Sequence, residues 1–149
     1  MKPTYHVDGS WYHGSTQAAI RSIHGNRIET SLGGGELGLG FYIGNYGHVA
    51  SAWARHKDKH DAAVVELRLN AFASTDLTKL DLSWLLAKER YLQIGRERTT
   101  RTHLFHHDVV AAPIVGRAMP GSPLQLKWEG DASKSFLNSS AVVKILTRL

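Results

Sequence analysis

Along this chain the apolar positions change period repeatedly, and each change marks an element. Ser10-Trp11-Tyr12-His13 reads as a short strand that ends at Gly14. Ser15 or Thr16 then caps a helix carrying Ala19, Ile20 and Ile23 on one face, and Gly25 stops it. Phe41-Tyr42-Ile43 predicts a strand, and His48 to Lys57 a helix with Val49, Ala50, Ala52 and Trp53 on its buried side. Ala62 to Leu69 is the clearest strand, alternating from Val65 onward. Asp81 predicts the cap of a long amphipathic helix from about Leu82 to Arg98. Its apolar residues are Trp84, Leu85, Leu86, Tyr91, Leu92 and Ile94, and Gly95 is a point of early termination. Asp108 to Gly116 reads as a buried strand, Pro120 to Pro123 as a turn, and Leu124 to Trp128 as a further strand. Its period of two puts Gln125, Lys127 and Glu129 on one face, with Leu126 and Trp128 on the other. Asp131 to Leu137 predicts a short helix, while Ala141 to Leu146 fits a strand or a helix equally. Short strands interleaved with short helices, without regular βαβ spacing, predict an α+β fold. At 149 residues the expectation is one domain, 1–149.

Five glycines (Gly33, Gly34, Gly35, Gly38, Gly40) fall within eight residues just before Phe41-Tyr42. Glycine lets a backbone or a ligand approach closely, at a cost in chain entropy. Gly33-Gly34-Gly35-Glu36-Leu37-Gly38 matches G-x-G-x-x-G in form, but that fingerprint needs a strand before it and a helix after it. Here the preceding segment is weakly strand-like and the following one reads as a strand, so the dinucleotide fold is excluded. What survives is a glycine-lined approach to a strand bearing an aromatic residue.

Composition narrows the chemistry. There is no cysteine, hence no disulfide framework and no zinc-thiolate site. His56 and His60 have metal-ligand spacing, but Lys57-Asp58-Lys59 between them marks a solvated helix end. His103, His106 and His107 have only Asp108 as a nearby carboxylate, so no metal is expected. No apolar run reaches membrane-spanning length and the N-terminus lacks an apolar signal core, so a cytoplasmic protein is expected. The net charge of +5 suits an anionic cofactor or a nucleic acid. The segment 96–101 is basic and reads as a solvated face.

Three segments carry a resemblance: Tyr12-His13-Gly14-Ser15; Gly38-Leu39-Gly40-Phe41-Tyr42 followed by Ala50-Ser51-Ala52-Trp53-Ala54; and Gln125-Leu126-Lys127-Trp128. In order and spacing they resemble the ADP-ribosyltransferase superfamily, in the His-Tyr-Glu branch shared by diphtheria toxin and the poly(ADP-ribose) polymerases. The chain is most similar to short bacterial toxin-type domains of that branch. The resemblance implies two small, mainly antiparallel sheets around an NAD cleft with flanking helices. It implies that His13 bonds a ribose hydroxyl of NAD, that the Gly14 backbone holds the carboxamide, and that Tyr42 and Trp53 sandwich the nicotinamide. Ser15, Gly40 and Ser51 belong to the same motifs and join them as cofactor-binding positions. The branch places a glutamate at the start of a late strand, and the matching residue here is Gln125, with Glu129 on the same face as a reserve. The activity implied is transfer of ADP-ribose from NAD, without a metal, to a protein or nucleic-acid acceptor. An NAD glycohydrolase and a catalytically silent NAD-, ADP-ribose- or nucleic-acid-binding module are the alternatives. A toxin of this kind implies a cognate antitoxin or immunity protein, and action in the cytoplasm of the producing or the target cell.

Overall fold

The computed structural model describes residues 6–116 and 123–147. It is an α+β fold. The chain runs β1 (Gly9–Thr16), α1 (Gln17–His24), β2 (Phe41–Gly44), α2 (Gly47–Lys57) and β3 (Ala62–Leu69). A single 3-10 turn (Phe72–Ser74) leads to β4 (Lys79–Asp81), α3 (Trp84–Glu97), β5 (Val109–Pro113), β6 (Leu124–Trp128), α4 (Gly130–Leu137) and β7 (Val142–Thr147). The turn expected at Pro120 to Pro123 falls, but for Pro123, outside the described residues.

The expectation of two sheets is corrected: the described strands form one seven-stranded sheet, in the order β4-β5-β6-β2-β1-β3-β7. Only β4–β5 is parallel. The join at the centre is narrow. β1 and β3 are in register over eight pairs from Gly9↔Leu69 to Thr16↔Ala62, whereas β1 and β2 share the single pair Tyr12↔Gly44. That one pair makes the sheet continuous, and beyond it the two strands splay.

Alternation along the strands separates two cores. The first face carries Trp11, Phe41, Ile43, Leu67, Leu126 and Trp128 beneath Ile20 and Ile23 of α1 and Phe136 and Leu137 of α4. The second carries Leu37, Val110, Ala112 and Val115 with Leu82 and Ala87. Gly14 lies on the second face, where a Cβ would run into the Ala50 carbonyl oxygen. Its missing side chain therefore lets α2 settle directly on β1.

That close approach explains a second correction. α2 buries Ala50 and Ala54 rather than Ala52 and Trp53, because only the smallest side chains fit against a strand so near. Trp53 is left 59% exposed. The third correction concerns α3. Asp81 belongs to β4, and the cap is Ser83, whose hydroxyl accepts from the Leu86 N–H. Gly95 lies inside the helix, which ends at Arg98 in the left-handed conformation. Leu85, Leu86, Tyr91 and Leu92, expected among its apolar residues, are exposed. Ala141 to Leu146 resolves as a strand, β7, paired with β3. Among the described residues no helix is long and apolar enough to cross a membrane.

Candidate functional site

Where β1 and β2 splay, the imidazole of His13 stands in for a ladder bond. Its Nδ1 lies 2.6 Å from the Tyr42 carbonyl oxygen. A carbonyl only accepts, so Nδ1 carries the proton and Nε2 holds the lone pair. Burial pushes the His13 pKa down to about 4, assisted by the nearby Lys57 charge and opposed by the Tyr42 bond. The ring is thus neutral at pH 7, with one fixed tautomer. It stacks on Phe41 at 4.6 Å, which places it toward the first face.

Tyr42 points the other way, into the second face, and the glycine-rich run is folded over it. A Cβ on Gly35 would come 2.8 Å from the Tyr42 Cζ, so the Gly35 backbone lies on the phenol ring. The hydroxyl donates to the Gly38 carbonyl at 2.6 Å and accepts from the Leu37 N–H at 3.1 Å. Burial raises the Tyr42 pKa, with the Glu36 and Glu129 charges adding to it, so the phenol stays protonated. The run is anchored by the buried Leu37 and by the Gly35 N–H bond to the Thr100 carbonyl. It is a folded cap.

Beside it, β6 presents Gln125 and Lys127 and Glu129 follows directly, all three buried. Gln125 sits across from Gly44, which in turn pairs with Tyr12. The Gln125 Nε2 donates to Glu36 Oε1 at 3.1 Å and to the Pro113 carbonyl at 3.3 Å. Glu36 also accepts from the Val115 N–H at 3.0 Å and the Gly116 N–H at 2.6 Å. Two residues along, Lys127 is fully buried and paired with Glu129, and its Nζ reaches the His103 carbonyl at 3.1 Å. Glu129 accepts in addition from the Phe105 and His106 N–H groups at 2.9 and 3.0 Å. Burial lowers the Lys127 pKa and the Glu129 carboxylate opposes that fall. Four residues of strand, about 13 Å, separate Gln125 from Glu129.

The structure brings His13 and Tyr42 together through a main-chain bond, yet their rings face opposite sides of the sheet. Tyr42 and Gln125 share the second face on adjacent strands. Trp53 is apart from both: its ring neighbour among the described residues is His56, at 6.3 Å. Glu129 is committed to Lys127 and the 105–106 amides. Gly14 is occupied by α2, Ser15 accepts from Lys57 at 3.4 Å, and the Gly40 Cα faces the Lys127 side chain. Ser51 is half-buried on α2, its side chain making no hydrogen bond among the described residues. No group of three or more metal-ligating side chains occurs among the described residues.

One residue of the site was not anticipated: Glu36. Sequence offered a signal, since Glu36 is the one charged side chain (Asp, Glu, Lys or Arg) between Glu29 and Arg55. A carboxylate isolated in an uncharged, glycine-rich run has a specific partner or a specific job. No protein-family model matches this chain, and no curated protein matches it.

Proposed function

We propose that the chain is an NAD-dependent ADP-ribosyltransferase that binds the nicotinamide end of NAD on the second face of the sheet, over β2 and β6. One observation carries this reading. His13, Tyr42 and Gln125, in the order of the His-Tyr-Glu pattern, fall on three neighbouring strands, β1, β2 and β6; Tyr42 and Gln125 share the second face, and His13 holds the Tyr42 carbonyl from the first. They sit at the centre of the sheet, where β1 and β2 part.

The chemistry follows from the residue types. The C1′–N bond of NAD breaks with its electron pair moving to the pyridinium nitrogen, which leaves as neutral nicotinamide. An acceptor lone pair forms the new bond to C1′, and the acceptor's proton passes to solvent. Positive charge builds on the ribose in between, so a hydrogen-bond acceptor aimed at the ribose favours the transition state over the ground state. Gln125 supplies that acceptor, and the Tyr42 ring supplies a flat surface for the pyridinium, worth about 0.5–1.5 kcal/mol beyond burial. NAD reaches that surface when Gly35 lifts from the phenol, and Trp53 then folds in from α2 to close the other side. The acceptor is a macromolecule, protein or nucleic acid, and a toxin role with a neutralising partner fits the same reading.

Incubation of the protein with adenylate-labelled NAD and cell lysate is expected to label a macromolecule and release nicotinamide. Folded protein that does neither, and binds no NAD, rejects the proposal. The cover over Tyr42 and the uncharged Gln125 favour one second reading, a module that binds NAD without turnover. Calorimetry showing binding with no nicotinamide released selects it.

A further inference from the structure

We infer that Glu36 is a positioning residue for Gln125: it turns the Gln125 amide oxygen toward the bound ribose and supplies the negative charge that glutamine lacks. The inference rests on the NAD reading above.

Orientation comes first. The Gln125 amide nitrogen lies between two groups that only accept, the Glu36 carboxylate and the Pro113 carbonyl. The opposite amide orientation sets its oxygen against both, so the nitrogen faces inward. Both N–H donors are then used. The amide oxygen has no donor among the described residues and is the group left to accept from a ligand hydroxyl. Gly44, across the ladder from Gln125, adds no side chain that would obstruct such an approach.

Charge comes second. The donors to Glu36 are the Val115 and Gly116 main-chain amides and Gln125. No Lys, Arg or His among the described residues forms an ion pair with it. The contrast with Glu129, neutralised by Lys127, lies on the same strand face. A partly buried carboxylate held by neutral donors keeps its field. An anion bonded to the nitrogen side of an amide makes the oxygen side a stronger acceptor, since bonds in series polarise one another. The charge is therefore delivered to the ribose through the amide. A neutral side chain at position 36 would pin the 115–116 loop without doing this.

The test moves the charge. Glu36→Gln, Gln125→Glu and the double variant carrying both are compared with wild type for nicotinamide release, kcat and KM separately, and for melting temperature across pH 4 to 8. Glu36→Gln is expected to lower kcat about 10- to 100-fold with KM little changed. Gln125→Glu alone sets two carboxylates in contact, which ionise in coupled steps with one pKa raised. Its melting temperature therefore falls, relative to wild type, as pH rises through that range, and its kcat falls too. The double variant carries one carboxylate again, now at position 125 and bonded by the amide introduced at position 36. It is expected to regain at least tenfold over either single variant and to lose the pH-dependent melting defect. A kcat insensitive to Glu36→Gln, or a double variant no better than its worse parent, overturns the inference while leaving the NAD reading in place. A wild-type chain that releases no nicotinamide overturns both.

Discussion

Gln125 and Lys127 leave β6 on the same side, one pleat repeat apart, yet their surroundings differ in kind. Around Lys127 the charges answer each other: the ammonium meets the Glu129 carboxylate and the His103 carbonyl, and the carboxylate also accepts from two main-chain amides. That end of the strand is a closed electrostatic unit that fastens the 103–106 segment to the sheet. Around Gln125 the donors are used and an acceptor is left over, beside a carboxylate with no ion-pair partner among the described residues. The difference separates a closed unit from one that keeps an unused acceptor. Of the two glutamates on this face, Glu129, just after β6, is paired with Lys127, and Glu36, in the glycine-rich run, has no ion-pair partner among the described residues.

The largest expected effect lies at the closed end. Glu129→Ala leaves the buried Lys127 ammonium without a counter-charge and strands the Phe105 and His106 amides, which should cost about 3–5 kcal/mol in urea unfolding. A loss below about 1 kcal/mol would erase the distinction between the two ends. Next comes His13, whose pKa is about 4 in the fold against 6.5 ordinarily. Between those values the unfolded chain binds the proton more tightly. Stability is full above about pH 6.5 and declines as pH falls toward 4, by at most about 3 kcal/mol. Urea midpoints measured down that range should show the decline, and His13→Gln should flatten it. An equal slope in the variant assigns the proton uptake elsewhere.

Tyr42→Phe acts on the cap over the open end. It leaves the Leu37 N–H and the Gly38 carbonyl without their partner, and about 1–3 kcal/mol should disappear from the unfolding free energy. An unchanged unfolding free energy would mean that the cap holds by its other anchors alone. The smallest effect on stability belongs to Trp53→Ala, within about 0.5 kcal/mol, since the ring lies in solvent. On NAD affinity the same substitution should cost about three- to tenfold by calorimetry, the equivalent of one stacking contact. Affinity unchanged to within experimental error removes Trp53 from the site.

The legible parts of the fold are those whose reasons are local. β3 and β6 match their alternation end for end, Thr16 caps α1 and Gly25 closes it. The start of α3 was not legible because Asp81 and Ser83 are both competent caps. What decides between them is the pairing of β4 with β5 some thirty residues on, Leu80 against Val110. The buried side of α2 turned on Gly14, a residue on another element. The continuity of the sheet turned on one registered pair. For the site, His13, Tyr42 and Gln125 stood out by residue type and order; the structure sets them on neighbouring strands, with the His13 ring on the opposite face and Trp53 apart. Glu36 stood out as the lone charge of its run, but its role was hidden because its partners lie 79, 80 and 89 residues away. No local pattern carries a contact of that span.

The central claim, that NAD is cleaved on the face shared by Tyr42 and Gln125, is met most directly by the rate of nicotinamide release in wild type and in Gln125→Ala. The account predicts release by the wild type and at least a tenfold lower kcat in the variant, with its fold retained by circular dichroism. Release that is unchanged when Gln125 is removed, or absent from well-folded wild-type protein, contradicts it.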